Sequence, residues 1–207
     1  MAKRNQRILT WFILLVFLHG CSFNVAMKGY SNIERNSNKK TVPLSVGIVV
    51  PSHMLNKIIN IQGTYIKLFP GFHTTIRNIY KDLFDKIEIV KENDIIEHSY
   101  DVLINADCNI INNNELLFTA TVLNGNKEYF KISKFKYIEG TPGLSALMYI
   151  VLTFTIIGAP IAISLSNSER EEKVNKALVS ILENSKNELY IAIGKLTSPR
   201  YKKETEI

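Results

Sequence analysis

The sequence predicts an α+β fold, a mixed sheet of about five strands with two packed helices, and three observations predict it. Residues 42 to 91 read as strand, helix, strand; residues 100 to 138 read as three strands joined by tight turns; residues 168 to 196 repeat apolar side chains at helical spacing. With 207 residues there is room for one good core and none for a large multidomain enzyme. A hydrophobic fraction of 46% excludes wholesale disorder. Two cysteines, Cys21 and Cys108, can build neither a disulfide framework nor a four-ligand zinc site by themselves.

The elements follow in order. Val42 to Val50 is a β-branched run stopped by Pro51, the pattern of a buried strand. Residues 52 to 68 fit neither period, although Ile58, Ile59, Ile61, Tyr65, Ile66 and Leu68 are apolar. After the break at Pro70-Gly71, the apolar residues Phe72, Ile76, Ile79, Tyr80, Leu83 and Phe84 recur on one face of a helix. Lys86 to Lys91 is a second strand. Tyr100, Val102, Ile104, Ala106, Cys108 and Ile110 alternate with polar residues, as a half-buried strand requires. Asn112 to Asn114 turns the chain into a strand from Glu115 to Leu123, and Asn124-Gly125 is a type I′ hairpin signal. The return strand runs from Glu128 to about Ile138. Ser168-Glu-Arg-Glu171 reads as a capping box, opening a helix whose buried stripe is Val174, Ala177, Leu178, Ile181, Leu182, Leu189 and Ile193. A polar tail covers 197–207.

This order, with the SYDVLINADCNI strand and the hairpin after it, resembles the small periplasmic α/β domains of envelope lipoproteins, of the curli-export and TolB amino-terminal kind. The resemblance covers about residues 42 to 138 and the final helix, rests on pattern, and carries over no functional residue.

At the amino terminus, Lys3, Arg4 and Arg7 precede an apolar stretch from Ile8 to Leu18 broken only by Thr10, the layout of a secretory signal peptide over residues 1–20. Such a stretch is shorter than the roughly 20 residues a helical span needs. The boundary Leu18-His19-Gly20-Cys21 resembles the lipobox of bacterial lipoproteins, from which His19 departs, since a small or apolar residue is usual at its place. The resemblance implies that the signal peptidase reads Leu18 and Gly20 and cuts before Cys21. It also implies that Cys21 carries diacylglycerol on its thiol and an acyl chain on its new amino group, so that membrane lipid is the first partner. Ser22, where an Asp would retain the protein at the inner membrane, implies passage to the outer membrane of a Gram-negative host. From Cys21 to residue 41 the sequence reads as a flexible tether, with Tyr30 to Lys40 poor in apolar residues and rich in Asn and Ser.

Cleavage would remove three of the 25 basic residues and no acidic ones, leaving 22 against 19 and a net charge of +3. The densest basic cluster, Lys127, Lys131, Lys134 and Lys136, has the alternation of a lysine-protected edge strand. No nucleic-acid partner is expected from it.

Leu144 to Leu165 contains no charge over 22 residues. As a helix it reaches roughly 33 Å, enough to span a bilayer, yet Gly158 and Pro160 interrupt it. Three readings stand: membrane contact as a span or dipping hairpin, a buried core segment, or an oligomer interface.

Chemistry-bearing residues are sparse. Beyond the signal only His53, His73 and His98 remain, without metal-ligand spacing, so neither metal nor cofactor is expected. Neither a Gly-rich phosphate loop nor a nucleophile elbow occurs. Cys108, on the apolar face of its strand, reads as a buried thiol. The expectation is a non-enzymatic envelope lipoprotein, an assembly or transport accessory acting through protein contacts in a complex or homo-oligomer. The competing expectation is an envelope hydrolase, for which Asp107, His98 and Glu115 would have to gather in one cleft.

Overall fold

A computed structural model describes residues 25–31, 41–97, 100–125, 127–139 and 158–196. The elements are β1 (Val25–Ala26), β2 (Val42–Val50), β3 (Ile58–Ile61), β4 (Thr64–Lys67), α1 (Gly71–Tyr80), β5 (Phe84–Lys91), β6 (Val102–Ile111), β7 (Glu115–Asn124), β8 (Lys127–Tyr137) and α2 (Gly158–Leu196). The fold is α+β: two helices, a five-stranded mixed sheet in the order β5-β2-β6-β7-β8, and a three-stranded sheet in the order β1-β4-β3. β2 pairs in parallel with both β5 and β6, while β6, β7 and β8 form an antiparallel meander.

Alternation sets which face of the large sheet is covered. Val102, Ile104, Ala106 and Cys108 of β6 and Leu116, Phe118, Ala120 and Val122 of β7 are buried, and their odd-numbered neighbours are half-buried or exposed. The register places Cys108 opposite Phe118 and Ala106 opposite Ala120, so the buried residues share one face. α1 packs against β2 and β5, and α2 against β7, β8, α1, β1 and β4. Across the interface the rings of Phe72 and Phe118 stand 6.3 Å apart. Along α2, Val174, Leu178, Ile181, Leu182, Leu189 and Ile193 are buried, the stripe expected from the sequence. Ser185, in the same stripe, is paired with the Tyr80 hydroxyl at 2.7 Å, which satisfies two polar groups that burial would otherwise penalise.

Several boundaries differ from the sequence reading. Residues 52–68 form a short 3-10 turn and the β3-β4 hairpin, whose turn residues Gln62 and Gly63 have φ of 48° and 81°. Two strands of four residues give too few alternations to register as a period, and Ile58 faces outward. Phe84 belongs to β5 and not to the helix, because it pairs with Val42. In the β7-β8 hairpin Asn124 is the last paired residue, opposite Lys127, so the loop begins at Gly125, one place later than expected.

The largest departures are at the two ends of the domain. α2 begins at Gly158, ten residues before Ser168. Pro160 fits in the first turn, where its missing N–H costs nothing. The expected capping box is therefore helix interior, and the Glu171 carboxylate accepts a hydrogen bond from the Lys28 backbone N–H at 2.9 Å instead. The last eight residues of the apolar segment 144–165 are thus α2, while residues 144–157 lie outside the described residues. Nor is the stretch from Cys21 to residue 41 a tether throughout: Val25–Ala26 adds a strand to β4, and Met27 is buried.

Gly71 makes that docking possible. A Cβ there would sit 1.9 Å from the Met27 carbonyl oxygen, so the amino-terminal strap and α1 touch backbone to backbone. Gly71→Ala is expected to lower stability to urea by roughly 1 to 3 kcal/mol. It should also speed hydrogen exchange at residues 27–30 while the β6-β7 amides stay protected. Unchanged protection of the strap would contradict this close approach.

Candidate functional site

The strap is built from few residues but many hydrogen bonds. Met27 N–H donates to the Lys67 carbonyl at 2.9 Å, extending the β1-β4 ladder by one residue. The Lys28 peptide is held on both sides by α2, its N–H by Glu171 and its carbonyl by the Asn175 amide at 2.7 Å. Tyr30 N–H donates to the Thr75 hydroxyl of α1 at 3.0 Å. Beside the strap, the Thr64 hydroxyl donates to Asn167 Oδ1 at 2.8 Å and accepts from Arg170 Nη1 at 2.9 Å. Thr64, Asn167 and Glu171 are all buried, and these bonds satisfy them. Three residues, Ser22 to Asn24, stand in the sequence between Cys21 and the first strand residue, Val25. Leu18, Gly20 and Cys21 themselves lie outside the described residues.

The carboxylates of the competing hydrolase reading do not converge. Asp107 lies opposite Thr119 and Glu115 opposite Ile111, four positions away along the strand, or roughly 13 Å. Asp107 is already engaged: it forms an ion pair with Lys57, accepts the Cys108 backbone N–H at 2.7 Å, and accepts from Asn109 Nδ2 at 3.2 Å. Burial alone would raise its carboxyl, but the Lys57 ammonium and these donors together hold it below its usual value. Lys57, just before β3, is the partner sequence reasoning missed; only the fold brings it beside β6. Glu115 accepts from Asn112 Nδ2 at 3.4 Å, and His98 lies outside the described residues.

Cys108 is buried, and desolvation with the neighbouring Asp107 charge pushes its thiol up to about 12, which disfavours the thiolate. Among the described residues no group of three His, Cys, Asp or Glu side chains could hold a metal ion.

The other face of the large sheet is only partly covered by the described residues. Ile111, Phe135 and Tyr137 are exposed there, at 39%, 71% and 55%. Phe135 stands opposite Leu117, and Tyr137 opposite Glu115, so the apolar groups share the ends of β6, β7 and β8. Lys131 lies farther along the edge strand, and Lys134 turns to the helical side, where it pairs with Glu188 of α2 at 2.6 Å.

His73 is the titrating group with the clearest consequence. Its ring is fully buried on α1, edge-on to Phe72 at 5.0 Å and to Phe69 at 5.9 Å, and neither nitrogen has a partner among the described residues. Desolvation brings its pKa down to about 4, against the pull of the Asp107 carboxylate. Between pH 6.5 and 4 the folded imidazole therefore binds fewer protons than the unfolded one. The contribution to stability is complete above pH 6.5 and is lost as the pH falls toward 4, amounting to roughly 3 kcal/mol. Urea unfolding at pH 7.0, 5.5 and 4.5 should show this decline, and His73→Leu should flatten it. An equal decline in His73→Leu would assign the pH dependence to other groups.

No family model matches the chain, and no curated protein matches it. Among solved structures, the crystal structure of a Xanthomonas campestris protein of the DUF330 family aligns with a TM-score of 0.48 at 7% identity, covering 83% of this chain and 98% of that one. The solution structure of the uncharacterized lipoprotein B from Nitrosomonas europaea aligns with a TM-score of 0.24 at 8% identity, covering 67% of this chain and 88% of that one. At these values neither likeness carries a function to the chain.

Proposed function

We propose that the chain is a lipid-anchored protein of the bacterial envelope, acylated at Cys21, that serves as a non-enzymatic assembly or transport accessory through protein contacts. The observation that carries this reading is the spacing at the amino terminus. The lipobox-like Leu18-His19-Gly20-Cys21 ends four residues before Val25, the first residue of strand β1. Cleavage before Cys21 therefore removes none of the described residues and leaves the acylated residue four positions from Val25 in sequence. With Ser22 after the acylated residue, the anchor is in the outer membrane, facing the periplasm, in a Gram-negative host.

Work by contact and not by reaction is supported by two features. Asp107 is neutralised by Lys57 and lies far from Glu115, so the acidic residues serve the fold. Among the described residues Ile111, Phe135 and Tyr137 are exposed on that sheet face and offer the kind of apolar surface that partner proteins or a second copy cover.

Cys21→Ala is expected to abolish incorporation of labelled palmitate and to leave an uncleaved, slower-migrating precursor. Undiminished labelling of that variant would overturn the lipoprotein reading.

A further inference from the structure

β8 closes one side of the large sheet, and among the described residues β7 is its one neighbouring strand. The hydrogen bonding shows which of its residues face outward. The Ile138 N–H donates to the Asn114 carbonyl at 2.7 Å, which continues the register that sets Glu115 opposite Tyr137. Hydrogen-bonded positions alternate in an antiparallel pair, so Lys136, Lys134 and Ile132 also bond to β7. Lys131, Ser133, Phe135 and Tyr137 therefore turn their N–H and C=O groups to the outer edge, and their side chains lie on the sheet face away from α2.

Such an edge is a template for another strand, and lysines along it ordinarily keep other chains away. Here that protection is incomplete. Glu188 of α2 draws Lys134 to the helical side at 2.6 Å, and of the four outward residues Lys131 alone carries a charge. The strand also matches itself in one register. A two-fold axis through Ser133 places Lys131 of each copy opposite Phe135 of the other, an ammonium against an aromatic ring that is 71% exposed in the single chain. Ile132 then stands opposite Lys134 and Phe130 opposite Lys136, so no lysine meets a lysine. An axis through Lys131, Lys134 or Phe135 sets lysine against lysine, and one through Ile132 runs the ladder into the register shift between Phe130 and Glu128.

We infer that β8 pairs antiparallel with β8 of a second copy of this chain, the two-fold axis passing through Ser133. This rests on the reading proposed above, that the protein works by contact, and names the surface and the partner. The outward backbone groups of each copy satisfy those of the other, and the two five-stranded sheets become one.

Disulfide trapping of the full-length protein in cell membranes tests this. Ser133→Cys changes one atom of an exposed side chain, Cys108 is buried, and the unsubstituted chain oxidised in parallel reports any dimer formed through the native thiols. Directly opposed residues on such an edge have Cα atoms about 5.5 Å apart, within disulfide reach. With Lys131→Cys the two thiols lie about 13 Å apart along the strands, out of reach. Mild oxidation should give a disulfide dimer with Ser133→Cys at roughly ten times the yield of Lys131→Cys, and adding Phe135→Lys should lower that yield by a similar factor. Sedimentation in detergent gives a second readout: the native chain should run as a dimer, and Ser133→Pro, which removes an N–H that β7 does not use, as a folded monomer. Equal yields at 131 and 133, or no dimer at either although both thiols react with maleimide, would overturn the pairing. So would a disulfide from position 133 to a different protein, which leaves work by contact standing with another partner. Palmitate labelling of the same samples reports on the Cys21 anchor separately, so a missing label marks failure of the anchor whatever the dimer yield.

Discussion

The buried stripe of α2, from Val174 through Leu178, Ile181, Leu182 and Leu189 to Ile193, is the contact on which both sheets depend. Each large aliphatic side chain removed from water contributes roughly 1.5 to 3 kcal/mol, and the stripe delivers this along one continuous line. The line crosses the domain. Its carboxy-terminal half lies over β7 and β8 and meets α1 through Ser185 and Tyr80. At its amino-terminal end Glu171 and Asn175 hold Lys28, and Asn167 and Arg170 hold Thr64 of the small sheet. The two sheets also meet directly where β3 approaches β6 and Lys57 pairs with Asp107, and the helix ties both together.

The strap follows from this arrangement. A two-residue strand such as β1 has too few ladder hydrogen bonds to persist alone. It is held because Glu171 and Asn175 satisfy the next peptide and because Gly71 lets Met27 lie against α1. The amino-terminal strap is thus held by α1 and α2 together.

Much of the large sheet was legible in the sequence because β6 and β7 are ten residues long and alternate cleanly from Val102 to Cys108 and from Leu116 to Val122. The α2 stripe was legible for the same reason, with the period of a helix. What was not legible depended on tertiary pairing. β3 and β4 are four residues each, and β1 is two, so their periodicity is too brief to detect. Ser168 and Glu171 have the spacing of a capping box, but the helix continues through them because Glu171 is used by a peptide 143 residues away in sequence. Lys57 could not be paired with Asp107 from sequence, since β3 and β6 meet only in the fold. The polar composition between residues 30 and 40 suggested a tether, and nothing in that composition marks the few residues before it as docked.

Neutron reflectometry of the acylated protein on a supported bilayer tests most directly the claim that the domain sits on the membrane by a short link. Protein density should begin within about 14 Å of the headgroups, the reach of the four residues from Cys21 to Val25. A hydrated gap of roughly 25 Å, the mean span of a free chain of about 20 residues, would contradict it and return the amino-terminal segment to a flexible tether.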